Sequence, residues 1–96
     1  SSKAAVHMLT KHLAKELASD RITANAIAPG PFDSQMMAFA LDDPRVRAGL
    51  AGDVPLGRIG VPDDMAGVAI YLASAAASYV TGAVIPVGGG LSTIAK

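Results

Sequence analysis

The stretch ITANAIAPGPFDS, residues 22–34, decides how the rest of the chain is interpreted. It begins as a short, apolar and partly β-branched run, which predicts a β-strand over residues 22–28. Pro29 removes a donor from the ladder and Gly30 allows a sharp turn or a close approach to a ligand, so we expect the strand to end there. Ligands of parallel α/β sheets bind beyond the carboxyl ends of the strands. Residues 29–34 are therefore predicted to form the rim of a ligand site.

The composition is that of one small domain or a piece of a larger one. The 96 residues are 51% hydrophobic but only 4% aromatic, and they include no cysteine. Eight basic and eight acidic residues cancel, so charge gives no reason to expect nucleic acid or a membrane as a partner. The absence of cysteine excludes disulfides and is compatible with a cytoplasmic location. His7 and His12 do not share a helical face at the spacing of metal ligands, so no metal site is predicted.

The residues before this stretch predict a helix over 1–18. Its larger apolar side chains fall in one stripe and its alanines in a second, so it is suited to pack on a sheet and on another helix. The stripe consists of Ala5, Val6, Leu9, Leu13 and Leu17. The chain opens at Ser1, inside this predicted helix, and we interpret it as a fragment.

Residues 33–57 predict a long connection with two weak helical patches, at about 34–41 and 44–52. A connection of this length is typical of a lid or a binding loop. Methionines adapt to irregular surfaces, so its apolar cluster is suited to line an apolar substrate pocket. The alternative is that the cluster only seals the loop onto the body of the protein. The cluster consists of Met36, Met37, Phe39 and Leu41.

A second helix is predicted from Pro62 to about Leu72, with a buried stripe, and a final strand over residues 83–87. Asp63 and Asp64 are interpreted as complements of the positive end of the helix dipole. Pro86 confines the last strand to a sheet edge. Two strands joined through a helix are expected to be parallel, which makes the chain the closing part of a larger sheet. The stripe consists of Met65, Val68, Ala69 and Leu72.

Four blocks of sequence, in order and at the expected spacing, resemble the short-chain dehydrogenases/reductases. The first resembles the end of the Tyr-x-x-x-Lys signature, and the second resembles Asn-x-Ile/Val-x-Pro-Gly. The third resembles Pro-Leu-x-Arg-x-Gly-x-Pro-Glu/Asp-Glu/Asp, and the fourth resembles the Thr-Gly and Val-Asp-Gly-Gly ending, with similarity strongest to the 3-oxoacyl reductase branch. The blocks are SSKAAV (1–6), NAIAPG (25–30), PLGRIGVPDD (55–64) and YVTG (79–82) with VGG (87–89).

The resemblance implies an α/β fold in which residues 1–96 are the C-terminal part of one Rossmann domain. They would supply the last two strands of a doubly wound parallel sheet, the flanking helices and a substrate lid over 33–57. It also implies hydride transfer between NAD or NADP, which the sequence does not distinguish, and a carbonyl or alcohol. The N-terminal part of the domain would be absent.

The resemblance assigns a catalytic role to Lys3, whose ammonium would lower the pKa of the tyrosine acid/base and bind the nicotinamide ribose. That tyrosine would lie two residues before Ser1, and the catalytic serine would also lie upstream. We therefore expect the isolated chain to be inactive. An alternative is a truncated, non-catalytic relative that acts only in oligomerisation or partner binding.

By the same resemblance, Pro29, Gly30, Phe32 and Ser34 would hold the nicotinamide end of the cofactor. Phe32 would bind the carboxamide through its main chain, and Ser34 replaces the usual threonine while keeping the hydroxyl. Three further departures are Phe32, where Val or Ile is usual, Arg21, where glycine is common and a left-handed turn would be strained, and Gly88, where aspartate is usual. The family also implies a homo-oligomer, a dimer or tetramer.

Overall fold

The computed structural model describes residues 2–32 and 41–91. Within them helices precede and separate two strands that pair in parallel, which confirms the predicted α/β class. Contacts divide the chain into a first unit, Ser1–Ile27 with Val68–Ile85, and a second unit, Ala28–Gly67 with Pro86–Lys96. The elements are α1 (Ser2–Leu17), a 3-10 turn (Ala18–Asp20), β1 (Ala26–Pro29), α2 (Pro44–Asp53), α3 (Pro62–Ala73), a second 3-10 turn (Ala75–Ala77) and β2 (Val84–Val87).

β1 and β2 pair as parallel strands. The Ala26 N–H donates to the Ala83 carbonyl at 2.9 Å, and the Gly30 N–H donates to the Val87 carbonyl at 3.0 Å. The register is the same at both bonds, as parallel pairing requires. Alternate residues of a strand face the partner strand, so Pro29 lies where its missing N–H costs no bond to β2.

The first strand begins later than predicted, at Ala26 rather than at residue 22. The Asn25 side chain takes over the bonding just before it: its amide donates to the Val80 carbonyl at 3.0 Å and its oxygen accepts from the Ala83 N–H at 3.0 Å. A side chain that replaces ladder partners holds the two segments together without extending the strand. The prediction of a strand over 22–28 is corrected accordingly.

α1 does not bury the stripe of large side chains that its sequence marks out. Val6, Leu9 and Leu13 are 41–56% exposed, whereas the buried positions are Thr10 and Ala14. The Thr10 hydroxyl donates to the Val6 carbonyl within the helix at 2.7 Å. Gly82 lies next to Ala14, where a Cβ on the glycine would be 3.5 Å from the Ala14 Cβ. Small residues therefore carry the contact of α1 within the first unit, because two four-residue strands offer too little surface to cover a wide apolar stripe.

The 3-10 turn that follows α1 ends at Arg21, which has φ 60° and ψ 33°. It is the only non-glycine residue with positive φ among residues 2–32 and 41–91. Its N–H donates to the Ala18 carbonyl at 3.0 Å, and the next N–H, of Ile22, donates to Leu17 at 3.2 Å. This is the arrangement of a helix C-terminus that usually uses glycine. Arg21 therefore adopts the left-handed conformation at a position where the resemblance gives glycine as the common residue.

The two helices predicted after residue 41 are confirmed with small changes of boundary. α2 begins at Pro44, where the Asp43 side chain caps the helix by accepting from the Arg45 N–H at 2.9 Å. In α3 the predicted buried stripe is only half-buried, and its member Ala69 is exposed. As with α1, the small sheet limits how much helix surface is covered. No helix in the described ranges is both long and apolar enough to cross a membrane.

The second unit has its own small set of buried side chains. Leu41, Val54 and Ile59 are each less than 8% exposed. Val54 packs where Gly89 would otherwise carry a side chain, and the Leu56 N–H donates to the Gly89 carbonyl at 3.0 Å. The loop after α2 is thus fixed against the glycine turn that follows β2.

Candidate functional site

The turn after β1 is held by a contact between two backbones. A Cβ on Gly30 would lie 2.6 Å from the Cα of Gly88, and a Cβ on Gly88 would lie 3.1 Å from the Cα of Gly30. Real Cβ atoms do not approach backbone at 2.6 Å, so Gly30 is required here by packing. The sequence predicted a close approach to a ligand at this glycine; the neighbour that the structure shows is Gly88.

Phe32 presents its main chain away from the loop that supports it. Phe32 and Gly60 form a parallel bridge in which the Gly60 N–H donates to the Pro31 carbonyl at 2.9 Å. Successive residues of extended backbone point their polar groups in opposite directions, so the Phe32 N–H and C=O face away from Gly60. No hydrogen bond joins either group to another residue of the described ranges. One donor and one acceptor that face away from Gly60, side by side, match the hydrogen-bonding groups of a carboxamide.

The Phe32 ring lies over Gly60. A Cβ at residue 60 would come within 2.7 to 2.9 Å of three ring atoms of Phe32. The glycine therefore provides the space for a phenyl ring where the family usually has Val or Ile. The loop of residues 57–61 thus leaves room for the larger side chain at residue 32.

Arg58 and Asp64 form a bidentate ion pair beside this loop. The Nη1–Oδ2 distance is 2.7 Å and the Nη2–Oδ1 distance is 2.9 Å. Asp64 Oδ2 also accepts from the Val61 N–H at 2.8 Å, as an acidic residue at the third helical position does when it caps the start of a helix. The Arg58 hydrogen bond, followed by the Val61 N–H, lowers the pKa of Asp64 to about 2. The Asp64 carboxylate raises the pKa of Arg58.

The sequence interpretation missed this ion pair, because it assigned Asp64 to the helix dipole alone. The signal was present: an arginine shortly before a helix start whose third residue is acidic. The pair fixes the entrance to α3 on two sides, through the guanidinium and through the Val61 N–H.

A cavity of about 330 Å³ opens next to the pair in the second unit. One wall is the Arg58–Asp64 pair, a second is formed by Pro31 and Phe32, and a third is the turn after β2. Gly88 leaves its part of the third wall without a side chain where the resemblance predicts an aspartate. The remaining lining residues are Leu56, Gly60, Pro86, Val87, Gly89 and Gly90.

Three of the predicted cofactor-binding residues lie together in the second unit: Pro29, Gly30 and Phe32. The backbone of Lys3 belongs to α1, in the first unit. Leu41, of the predicted lid, is 5% exposed. Within residues 2–32 and 41–91, no three His, Cys, Asp or Glu side chains are grouped as metal ligands would be. The other predicted site residues, Ser34, Met36, Met37 and Phe39, lie outside the described residues.

A family model described as enoyl-(acyl carrier protein) reductase matches residues 1–92. The chain belongs to the short-chain dehydrogenase/reductase family. It is 47% identical over 89 residues to the rhamnolipids biosynthesis 3-oxoacyl-[acyl-carrier-protein] reductase of Pseudomonas aeruginosa. It is also 47% identical, over 92 residues, to 3beta-hydroxysteroid dehydrogenase 1 of Eggerthella lenta. These alignments cover 93% and 96% of this chain but only 35% of each relative.

Solved structures of the family have the same fold over this region. The Pseudomonas aeruginosa RhlG/NADP active-site complex superposes with a TM-score of 0.86 at 47% identity, over 93% of this chain and 36% of that one. A gluconate 5-dehydrogenase from Burkholderia cenocepacia in complex with NADP and tartrate gives 0.84 at 41% identity, over 95% and 36%. The predicted Rossmann-type fragment is thereby confirmed, and the chain spans about a third of the relatives it matches.

Proposed function

We propose that this chain is the C-terminal part of an NAD(P)-dependent oxidoreductase with a single Rossmann domain, of which residues 33–57 form the substrate lid. The intact protein interconverts a carbonyl and an alcohol, and the bound dinucleotide supplies or takes up the hydride. The observation that supports the proposal is the orientation of the Phe32 N–H and C=O at the carboxyl end of β1: both face away from Gly60, and neither bonds to another residue within 2–32 and 41–91. The two neighbours with bound NADP support the same class of ligand.

The turn after β1 fits the nicotinamide end of that cofactor. The Phe32 main chain offers one donor and one acceptor for the carboxamide, and Gly30 holds the turn by its contact with Gly88. Pro29 ends β1 so that the backbone can leave the sheet. Ser34 contributes a hydroxyl hydrogen bond to the cofactor. NAD and NADP remain equal candidates, because the resemblance places the residue that selects between them upstream.

Lys3 is proposed to act on a tyrosine four residues earlier on the same helical face. A nearby ammonium favours the phenolate and so lowers the tyrosine pKa, which brings it closer to the working pH of an acid/base. Lys3 also hydrogen-bonds the nicotinamide ribose. Because the tyrosine and the serine are assigned to upstream sequence, the isolated 96-residue chain is expected to be inactive.

The substrate is proposed to be an apolar carbonyl or alcohol, such as an acyl or a steroid compound. The names of the two curated relatives support this class. The lid sequence supports it as well, since Met36, Met37, Phe39 and Leu41 are all apolar. The gluconate 5-dehydrogenase in complex with NADP and tartrate indicates the competing substrate class, small polar hydroxy acids, which a substrate panel distinguishes.

The intact protein is proposed to be a cytoplasmic homo-oligomer, a dimer or tetramer. The exposed apolar side chains of α1 support an additional packing partner for that helix. Size-exclusion chromatography with light scattering checks this proposal. A monomer at micromolar concentration contradicts it.

The function is tested with the intact protein by measuring NAD⁺ and NADP⁺ binding calorimetrically, and oxidation of reduced nicotinamide with a panel of carbonyl compounds. Lys3→Ala should lower kcat by about 100-fold or more, whereas Lys11→Ala, on the same helix, should leave kcat unchanged. Binding of neither dinucleotide refutes the proposal. Equal turnover by the two variants refutes the role of Lys3.

A further inference from the structure

The segment from Arg58 to Asp64 is a loop closed by hydrogen bonds between its two end residues, with Gly60 near its middle. Two hydrogen bonds join the side chains at its ends, and a third ties Asp64 to the Val61 N–H. Arg58 Nη1 also lies 3.5 Å from the Ile59 carbonyl. A planar guanidinium bonded twice to a carboxylate fixes orientation as well as distance. The backbone of residues 59–61 is consequently held from both ends.

Gly60, near the middle of this loop, is the residue that contacts the turn after β1. Its N–H donates to the Pro31 carbonyl at 2.9 Å, and its missing side chain makes room for the Phe32 ring. A shift of Gly60 would therefore move the Pro31 carbonyl and the ring together. Both are covalently part of the backbone that presents the Phe32 N–H and C=O.

The pair contributes little through charge alone. The Arg58 side chain is 57% exposed and that of Asp64 is 29% exposed, and ion pairs at exposed positions add little to folding stability. The bidentate geometry instead fixes the backbone conformation of the loop between the two residues. The expected role of the pair is therefore to position this loop and not to add general stability to the fold.

We propose that Arg58 and Asp64 are positioning residues for the nicotinamide end of the cofactor. They hold Gly60, Gly60 holds Pro31 and Phe32, and Phe32 binds the carboxamide. The inference rests on the proposed function, because it requires the Phe32 main chain to contact a nicotinamide. In this proposal Arg58 and Asp64 do not touch the nicotinamide and act on it only through the backbone of Phe32.

The test separates the nicotinamide from the rest of the dinucleotide. Calorimetry with the intact protein compares NADP⁺ with 2′-phospho-ADP-ribose, which lacks nicotinamide; NAD⁺ and ADP-ribose replace them if NAD⁺ binds more tightly. Arg58→Met and Asp64→Asn should each weaken the full cofactor by about 3- to 10-fold, the size of one misplaced hydrogen bond. Binding of the fragment should not change. The double variant should lose no more than either single variant, because the two residues act as one unit.

Asp63→Asn is the matched control, since it removes the same charge from the adjacent residue in the first turn of α3. It should bind both nucleotides as the unmodified protein does. Equal weakening of both nucleotides by Asp64→Asn overturns the inference, because it indicates a general structural effect. Unchanged NADP⁺ binding also overturns it while leaving the proposed function intact. If the unmodified protein binds no dinucleotide, the proposed function itself fails, and the inference fails with it.

Discussion

Replacing Gly30 by alanine introduces one methyl group where two backbone segments of the second unit lie next to each other. The new Cβ would lie 2.6 Å from Gly88 Cα and 3.3 Å from the Gly88 carbonyl oxygen. No flexible side chain is available to move aside, so one of the two backbone segments must shift. The shift also disturbs the 3.0 Å bond from the Gly30 N–H to the Val87 carbonyl.

Two costs determine the expected loss of stability. Overpacking of this kind costs about 1–3 kcal/mol, and a weakened hydrogen bond adds about 0.5–1.5 kcal/mol, so Gly30→Ala should lower the free energy of unfolding by about 2–4 kcal/mol. At Gly88 the added Cβ would lie 3.1 Å from Gly30 Cα. Gly88→Ala should therefore cost less, about 1 kcal/mol.

Gly67→Ala is the matched control, because the same methyl group meets nothing within 4 Å there. It lies inside α3, where alanine is favoured over glycine by about 0.8–1 kcal/mol, so this variant should be more stable. Urea unfolding of the intact protein, at one protein concentration, measures the stability of all three variants. The unfolding midpoints are compared between variants that have the same dependence of free energy on urea concentration. If Gly30→Ala unfolds at the same midpoint as Gly67→Ala, the backbone contact does not constrain residue 30, and the reasoning is refuted.

Two further predictions concern side-chain hydrogen bonds. Asn25→Ala removes the partners of the Val80 carbonyl and the Ala83 N–H, which should lower the free energy of unfolding by about 2–4 kcal/mol in the same urea experiment. Thr23→Ala, at an exposed position, is the control and should lower it by less than about 0.5 kcal/mol. Equal losses in the two variants would contradict the role of Asn25. The folded-state pKa of Asp64, about 2, lies below its ordinary value of 3.8, so its stabilising contribution is present above about pH 4 and is lost as the pH falls towards 2. Carboxyl ¹³C NMR at pH 4 should show Asp64 ionised, and partly protonated in Arg58→Met; an identical chemical shift in both proteins would disprove the coupling.

Local sequence signals predicted best those helices and strands that begin or end at a proline or a glycine. Pro44 and Pro62 begin helices, as proline at the first helical position does. Pro29 and Gly30 mark where β1 stops. The left-handed turn at Arg21 was not predictable from local composition, because nothing there favours that conformation for arginine. The resemblance only marks this position as one where glycine is common.

Contacts between residues distant in sequence were not predictable. The sequence gives no sign that Asn25 bonds to residues 55 and 58 positions later, and this pairing sets where β1 begins. Hydrophobic periodicity did not show how much of the apolar stripe of α1 is covered, because periodicity records which face is apolar and not how much surface is available to cover it. The same limit applies to Gly88, whose role depends on its neighbour Gly30.

The Asn25 bonds also have a consequence for synthesis on the ribosome. Val80 follows Asn25 by 55 residues, so at about 5–20 residues per second its carbonyl is made roughly 3 to 11 s after the asparagine. Closure of a loop of this length is also entropically unfavourable until the partner strand is present. During that interval α1 can form from local contacts alone, while the polar groups around Ala24 and Ala26 remain hydrated. Pairing of the last two strands is therefore a late event, completed only after residue 83 has left the exit tunnel.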